Sequence, residues 1–490
     1  MRITNTMISN HSKNNVNANK LLVDKYNTQM TTQKKISKPS EAPVIAIRSL
    51  RLATNLSQLN QFADNNIPDA EAWLDITETA LQNMKDIVTD IRTQCVYGAT
   101  DSLTETDRKT ILENLSALSD QIYAEGNANY AGRTVFTGYR TSDRLTFRTD
   151  EPDRTYQIDE NFTYEDFETY RYYSGNVTVP ADATTECNEE IVEHDYYRLR
   201  TGYDELDSVD SFEVLDGDGN EMTGITLRYY DTIEAWESEG MNVEDGEVVV
   251  LRDSGEFVFG EDLYKSLKSE KATFRTTYTK TGFQSGEIMP EYLYNCRDIS
   301  DPANPVEYEK TDQKIEYTIA ANTKLTVNTQ ASDVFDTSIA RDVNEMVNIV
   351  NRAINAHQKV EDITAMMKEA RYQDEESQAN LKTYLDAAQK EADYADDNLQ
   401  KTFGQFITNF DNYLADINLS ITNVGSTMDR LAMTQTRVEN QQDTIEGLKS
   451  KNEDRDMSDI IIDYYTSYNA YTASLTATAK IGQETLLNYL

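Results

Sequence analysis

Histidine and cysteine are scarce in this chain of 490 residues. Three histidines leave little material for acid–base catalysis or for metal binding. The three cysteines, Cys95, Cys187 and Cys296, are odd in number and widely separated, which excludes a disulfide framework or a zinc-binding spacing. A disulfide between Cys187 and Cys296 is one alternative that the spacing leaves open.

Long apolar runs are also missing. No segment approaches the ~18 consecutive apolar residues of a membrane-spanning helix, so we expect no membrane insertion. The first residues pass into an Asn-rich stretch, 11–20, without an apolar core, and we therefore expect no Sec-type signal peptide. With only 8 prolines and 19 glycines, the composition predicts a mostly helical chain with few turns.

Positive charge is the third deficit. The chain has 46 Lys and Arg against 85 Asp and Glu, a formal net charge of −39. A polyanionic partner would approach against net repulsion, which argues against nucleic acid and against anionic lipid surfaces. The net negative charge is better explained as a means of keeping an association-prone chain soluble.

No sequence motif supports an enzyme. GxGxxG, Walker A and HExxH patterns are absent from the sequence, and a Cys187–His194 nucleophile pair is a chance combination in a polar region. The stretch 216–221 resembles the start of a calcium loop, but Glu221 stands where Gly is needed and Leu227 where a bidentate Glu is needed. We interpret it as a hairpin turn, and we expect no catalytic, cofactor or metal site.

What the chain does have is a coiled-coil seam in its C-terminal half. Apolar positions recur at alternating steps of three and four, the cadence of a coiled coil rather than of a globular-core helix. The apolar members of this bundle seam are Leu414, Ile417, Ile421, Val424, Met428, Leu431, Val438 and Ile445.

Both ends of the chain carry further helical stripes. The N-terminal stripe consists of Leu22, Tyr26 and Met30, and the final helix presents Ile461, Tyr464, Tyr468, Tyr471, Leu475, Leu486 and Leu490. Two helices cannot bury both stripes, so we predict an assembly interface that is completed by further copies or partners. A closed monomeric hairpin of the two ends is the alternative.

Two interdomain joints are expected. The segment 38–43 contains Pro39 and Pro43 and is predicted to stop the first helix and start the second. The charged segment 450–456, with Glu453 and Asp454, is predicted to separate the bundle seam from the final helix. Pro68 is expected to kink or split the second helix.

The middle of the chain is β-rich. From Gly132 the period changes towards two, and we predict a hairpin of strands 134–137 and 145–147 around the turn 138–142. Strand-like runs separated by Asp/Gly turns fill 148–330, and helix returns near Asp333. The charged segment 358–400 is predicted to be a solvated helix supported by i,i+4 pairs.

These features resemble the bacterial flagellin superfamily, and within it the hook-associated proteins of the third type, the FlgL hook–filament junction proteins. The similarity covers roughly 1–147 and 330–490. It is carried by the segments 1–4, 35–44, 48–52, 70–74, 79–81, 127–138, 319–335, 425–431, 453–456 and 486–490. Flagellin itself normally lacks the Pro-Ser-x-x-Pro joint of 39–43.

The resemblance implies a fold and a role. The fold would be mainly α with an inserted β-rich domain: a flagellin-like, long α-helical coiled-coil bundle made from both termini. Residues 1–43 with 450–490 would form an inner coiled-coil domain, 44–147 with 331–449 a helical bundle domain with a β-hairpin, and 148–330 an outer acidic domain.

In that role the chain would be a structural layer of the bacterial flagellum. It would lie outside the cell between the first hook-associated protein and the flagellin filament and would contact copies of itself. A FlgN-like chaperone would cover its C-terminal helix before type III export. The alternatives are a flagellin filament subunit and a surface-displayed adhesin or effector on a flagellin-like stalk.

Overall fold

The computed structural model describes residues 5–100, 104–119, 121, 123–149 and 153–483. Along the chain, helices precede and follow a region of strands. The helices are α1 (Asn5–Thr32), α2 (Pro43–Gln61), α3 (Ile67–Gly98), α4 (Glu105–Ser119), α5 (Ile233–Glu237), α6 (Glu261–Ser269), α7 (Thr337–Lys368), α8 (Glu375–Glu453) and α9 (Met457–Gln483). The strands are β1 (Asn129–Tyr130), β2 (Arg133–Thr134), β3 (Thr155–Thr163), β4 (Glu168–Ser174), β5 (Val192–Arg200), β6 (Ser208–Leu215), β7 (Thr226–Tyr230), β8 (Glu247–Leu251), β9 (Glu256–Phe259), β10 (Thr273–Thr281), β11 (Asn295–Asp298), β12 (Val306–Tyr308), β13 (Glu316–Ala320) and β14 (Thr323–Thr326). This order confirms the predicted mainly α fold with an inserted β-rich region.

Both predicted joints coincide with helix boundaries. Helix α1 ends at Thr32, and α2 begins with Pro43 in its first turn, where a missing N–H costs nothing. Helix α8 ends at Glu453 and α9 begins at Met457, with three residues between them.

Pro68 does not split the helical path, and the kink stays a prediction. Residues Phe62–Asn66 form a π-helical turn, in which the amide of Ile67 donates to the carbonyl of Phe62, and α3 follows at once. Proline has no N–H and therefore cannot complete the α-helical bonding of the preceding turn. The wider π turn lets the helical path continue from α2 into α3 despite this missing donor.

The hairpin predicted for 134–147 is wrong in its pairing. The hairpin of this region lies earlier, between β1 and β2, with Asn129 opposite Thr134. The segment 145–147 pairs instead with 287–289: the amide of Phe147 donates to the Glu287 carbonyl at 2.9 Å, and that of Met289 donates to Leu145 at 2.9 Å. The turn expected at 216–221 is confirmed, because Asp216 Oδ1 accepts the amides of Asp218 and Asn220.

The charged segment 358–400 is not one solvated helix. Helix α7 ends at Lys368 and α8 starts at Glu375, so the chain turns within the segment. Ile363, Leu381 and Ala388 are fully buried there because an extended segment, 175–191, packs across both helices; we call it the strap. The strap is tied by backbone contacts: the Cys187 amide donates to Thr383 Oγ1 at 2.8 Å, for example.

The open cysteine alternative is also settled. Cys95, Cys187 and Cys296 are free thiols, so the Cys187–Cys296 disulfide does not form. Cys296 lies in the core beside β3, whereas Cys187 lies on the strap.

The β-rich region consists mainly of two five-stranded sheets. Sheet A has the order β12-β11-β3-β10-β6 and sheet B the order β4-β5-β9-β8-β7, in which β7 and β8 are parallel. Residues from the two sheets share one apolar core, so the sheets stack face to face. This core contains Phe162, Val214 and Phe274 from sheet A and Leu199, Val248, Val250, Phe257 and Phe259 from sheet B.

A buried ion network joins sheet B to α7. Arg198, whose side chain is 2% exposed, donates to Glu168 at 3.0 Å, Glu256 at 2.7 Å and Glu345 at 2.8 Å. Arg200 bonds the fully buried Asp342 at 2.6 Å and Glu345 at 3.0 Å. Burial alone would raise the pKa of Glu168, but Arg200 and Arg198 lower it to about 2. The network therefore holds the β-rich region against a helix of the C-terminal half.

By its contacts the chain divides into two compact units. Unit 1 comprises 1–70, 317–325 and 429–490, and unit 2 comprises 71–316 and 326–428. The three-domain division expected from the sequence stays a prediction. None of the helices in the described ranges combines the length and apolar character that crossing a membrane requires.

Candidate assembly interface

Helices α1 and α9 of unit 1 pack side by side in antiparallel orientation. Lys34 forms an antiparallel bridge with Asp454, and farther along the pair Asn19 Nδ2 donates to the Ala470 carbonyl at 3.4 Å. The side chains that face the partner helix follow steps of three and four on both helices, which is the spacing of a coiled coil. This inner seam consists of Val16, Asn19, Val23, Tyr26 and Met30 on α1 and of Ile460, Tyr464, Ser467, Tyr471, Ser474 and Thr478 on α9.

The predicted interface residues fall on two different faces. Tyr26, Met30, Tyr464 and Tyr471 are half-buried in the inner seam. The others that the structure describes, Leu22, Ile461, Tyr468 and Leu475, are 41%, 38%, 48% and 42% exposed. Leu486 and Leu490 lie outside the described residues.

Sequence reasoning missed part of the inner seam because four of its positions, Asn19, Ser467, Ser474 and Thr478, are polar. Ile460, Ser467 and Ser474 recur every seven residues, and Ile460 is fully buried. Small side chains at such positions allow close approach of two helices, but serine does not register as apolar in a hydrophobic stripe. The heptad spacing of Ile460 with two small residues is the signal that could have located this seam.

The outer face of the pair is apolar and uncovered. On α9, Ile462 and Tyr465 join the exposed residues of the predicted stripe at 63% and 60% exposure. On α1, Leu21 is 70% exposed beside Leu22. Fourteen of the twenty-one exposed large hydrophobic side chains among the described residues belong to unit 1, which holds under a third of the chain. Such a concentration marks an interaction surface, because monomeric proteins rarely leave large apolar patches in water.

The bundle seam of α8 consists of one row of buried side chains and one row of half-buried side chains. Ile417, Val424, Leu431 and Val438, seven residues apart, are at most 4% exposed. The alternate row is only half-buried; it consists of Leu414, Ile421, Met428 and Ile445. The predicted cadence therefore gives the core-facing positions of the helix.

The segment that follows α1 and the segment that links α8 to α9 meet in a compact ionic cluster, which we call the joint. Lys34 Nζ lies 2.5 Å from Asp454 Oδ1 and 3.1 Å from Glu453 Oε2. The amide of Lys35 donates to the Glu453 carbonyl at 2.7 Å, and that of Arg455 donates to the Gln33 carbonyl at 2.9 Å. Of the predicted joint residues, Glu453 and Asp454 thus make direct contacts.

Pro39 and Pro43 are exposed and shape the path of the chain instead of contacting the cluster.

The carboxylates of the joint make it sensitive to acid. The hydrogen bond from Lys34 is the main cause that lowers the pKa of Asp454. Burial on its own would raise the pKa of Glu453, but hydrogen bonds from Ser49 and Lys34 lower it overall. A lowered carboxyl pKa stabilises the folded form above the unfolded pKa of ~4 and loses that contribution as pH falls.

We therefore expect the joint to loosen on acidification. Between pH 7 and pH 3.5, the amide of Lys35 should lose about threefold of its protection against hydrogen exchange, since partly exposed ion pairs contribute ~1 kcal/mol or less. Lys34→Gln should produce the same loss already at pH 7. The matched control is Lys265→Gln, which breaks an exposed pair with Glu261 on α6. Unchanged protection in Lys34→Gln would show that the ionic contacts do not hold the joint.

Two long end helices that pair with each other and leave an apolar face uncovered are typical of a subunit of a larger assembly. Residues 3–141 match the family model described as the bacterial flagellin N-terminal helical region. The flagellin resemblance expected from the sequence is thus confirmed for this region.

Curated relatives give the more particular likeness. The chain is 29% identical over 124 residues to flagellar hook-associated protein 3 of Escherichia coli K12, covering 24% of this chain and 37% of the relative. It is 26% identical over 148 residues to flagellar hook-associated protein 3 of Salmonella typhimurium LT2, covering 29% of this chain and 44% of that protein. The matched stretch is therefore less than half the length of either relative.

Among solved structures, a putative flagellar hook-associated protein from Vibrio parahaemolyticus is 12% identical, with a TM-score of 0.36 over 84% of this chain and 100% of that one. A likeness of this degree defines neither fold nor function by itself.

Proposed function

We propose that this protein is a structural component of the bacterial flagellum and forms the adaptor layer between the hook and the flagellin filament. The observation that carries the proposal is the uncovered apolar face of the α1–α9 pair in a chain that has a flagellin N-terminal helical region. Copies of the chain cover this face by packing side by side. Burying apolar surface of this kind supplies the main driving force for such association.

The proposed neighbours are the first hook-associated protein on one side and flagellin on the other. The likeness to hook-associated proteins of the third type supports this position. Before assembly, a chaperone similar to FlgN would shield the exposed residues of α9, and export would follow the type III route. The net charge of −39 supports the solubility of a chain that must travel and remain unassociated until it arrives.

A flagellin subunit is the second candidate, because the matched family model describes flagellin itself. The proline joint favours the adaptor: Pro43 starts α2, and Pro39 precedes it in a segment that flagellin normally lacks. A displayed effector would need a site in the β-rich region, and no group of His, Cys, Asp and Glu able to hold a metal occurs among the described residues.

Position on the cell distinguishes the adaptor from the filament subunit. An epitope tag can be inserted after Gly219, which lies in an exposed turn with open space around it. In cells that carry only the tagged gene, we expect a single labelled band at the tip of each hook, seen by immunogold microscopy. Cells with untagged protein are the control for background label. Continuous labelling along the filament would instead make the chain a flagellin.

A further inference from the structure

Lys280 of strand β10 is a fully buried lysine with two carboxylates at its tip. Its side chain is 0% exposed, and Nζ donates to the backbone carbonyl of Asp204 at 2.8 Å. The same nitrogen lies 3.3 Å from Asp204 Oδ1 and 3.9 Å from Glu287 Oε1. Lysine is almost never fully buried unless it is paired, so this placement requires an explanation.

The surroundings of Lys280 are largely aromatic, whereas the side chains of Asp204 and Glu287 are 31% and 26% exposed. The ring of Phe283 lies 5.4 Å from Nζ and stacks on Phe147 with centroids 4.6 Å apart. Tyr203 and Tyr278 close the same cluster at 3% and 0% exposure. An environment of this kind has a low dielectric constant, in which an ammonium held apart from its carboxylate partners is costly.

Glu287 is suited to carry a proton in this environment. Burial raises the pKa of its carboxyl above the ordinary value, and this effect exceeds the opposing attraction of Lys280. Its position is fixed at Oε2, which accepts the amide of Gln284 at 2.8 Å. The free oxygen, Oε1, is the one that points towards Lys280 Nζ. At 3.9 Å this oxygen lies beyond hydrogen-bonding distance, so it has to move closer to the amine before a proton can pass between them.

We propose that Lys280 and Asp204 join in an isopeptide bond, with Glu287 as the group that moves the protons. The bond forms between Lys280 Nζ and Asp204 Cγ. It ties β10 of sheet A to the loop that leads from sheet B, across 76 positions of sequence.

The reaction balances without an outside reagent. A proton passes from the Lys280 ammonium to the Asp204 carboxylate, which gives a neutral amine beside a neutral acid. Nζ then attacks Cγ, the C–N bond forms, and the C–O bond to the hydroxyl breaks. Glu287 donates a proton to the departing oxygen and recovers one from the nitrogen. The products are an amide and one water molecule, and neither oxidation nor reduction takes place. Fixed proximity of amine and acid makes the step unimolecular.

The experiment is intact-mass spectrometry on the purified full-length protein, followed by peptide mapping with trypsin. We expect a mass lower than the sequence mass by one water molecule. Acylated lysine resists trypsin, so cleavage after Lys280 should be lost. A branched peptide should join the fragment that begins at Thr276 to the one that begins at Thr201.

Two variants test the assigned roles. Lys280→Arg keeps the positive charge but removes the nucleophilic amine, and Glu287→Gln removes the proton carrier. Both should show the full sequence mass and normal cleavage elsewhere, while their circular dichroism spectra match the wild type. If the circular dichroism spectrum of a variant differs from that of the wild type, the intact mass of the wild-type protein decides the question.

Three results would overturn the proposal. The first is a wild-type protein that keeps its full mass, both fresh and after a week at room temperature. The second is a water loss confined to a single linear peptide, which would identify a cyclised aspartate instead. The third is an unchanged water loss in Glu287→Gln, which would remove Glu287 from the reaction.

Discussion

Replacing Tyr468 and Leu475 with aspartate is expected to abolish swimming while leaving the free protein folded. Both side chains are exposed on the outer face of α9, and the only aromatic contact either makes in the described residues is the stacking of Tyr468 on Tyr464, with centroids 6.1 Å apart. Covering one such apolar side chain in an assembly contributes ~1.5–3 kcal/mol. A buried, unpaired carboxylate in its place adds a further cost that the neighbouring copy cannot offset. The measurement is motility in soft agar and filament counts by electron microscopy, in cells without the native gene.

The matched controls are Tyr229→Asp and Val306→Asp. These residues are 46% and 48% exposed, comparable to Tyr468 and Leu475, but they lie in the β-rich region. They should leave swimming unchanged, because the proposed interface does not include them. Circular dichroism of each purified variant checks that the monomer is intact. Normal swimming of the Tyr468→Asp, Leu475→Asp variant would contradict assembly through this face.

Removal of one charge from the buried ion network should be the most damaging single change to unit 2. In Arg198→Met, three carboxylates, those of Glu168, Glu256 and Glu345, lose a common partner that also stacks on Tyr170 at 3.9 Å. Arg200 still pairs with Glu168 and Glu345, but Glu256 loses its arginine partner. Breaking a buried pair from one side costs ~3–5 kcal/mol, because the remaining charge stays buried without compensation. Urea unfolding followed by tryptophan fluorescence measures the change, since both tryptophans, Trp73 and Trp236, are buried in unit 2.

Arg171→Met is the control for this prediction. Arg171 bonds Asp195 at 2.7 Å and Asp397 at 3.0 Å, but these carboxylates are 60% and 39% exposed. Water solvates them after the arginine is lost, so the expected cost is ~1 kcal/mol or less. Equal losses for the two variants would mean that the Arg198 network contributes no more than a surface pair.

The helical part of the fold could be predicted because its signals are local. The apolar cadence of α8 identifies Ile417, Val424, Leu431 and Val438 as core positions, and their low exposure agrees with it. Proline chemistry places the start of α2 at Pro43. At Pro68 the same chemistry predicted a kink or a split, and the split does not occur because a π turn at Phe62–Asn66 keeps the helical path continuous.

Contacts between distant parts of the chain could not be predicted. Arg198 and Glu345 are separated by 147 positions, and no local pattern connects a strand arginine with a helix glutamate. The packing of the strap on α7 and α8 is a second long-range contact that no local pattern indicates. It explains why the charged segment 358–400 contains buried residues instead of forming a solvated helix. The candidate interface lay between these cases: its apolar residues were visible in the sequence, but the division into inner and outer faces depends on the register of α1 against α9.

The antiparallel pairing of α1 with α9 has a consequence for how the chain comes to be used. A ribosome makes α1 before α9, so the seam of α1 has no counterpart until translation has passed Met457. An unfinished chain lacks half of the surface that a neighbouring copy would meet. Pairing α1 with α9 would thus restrict incorporation to molecules in which α9 has already been synthesised, without any separate inspection step.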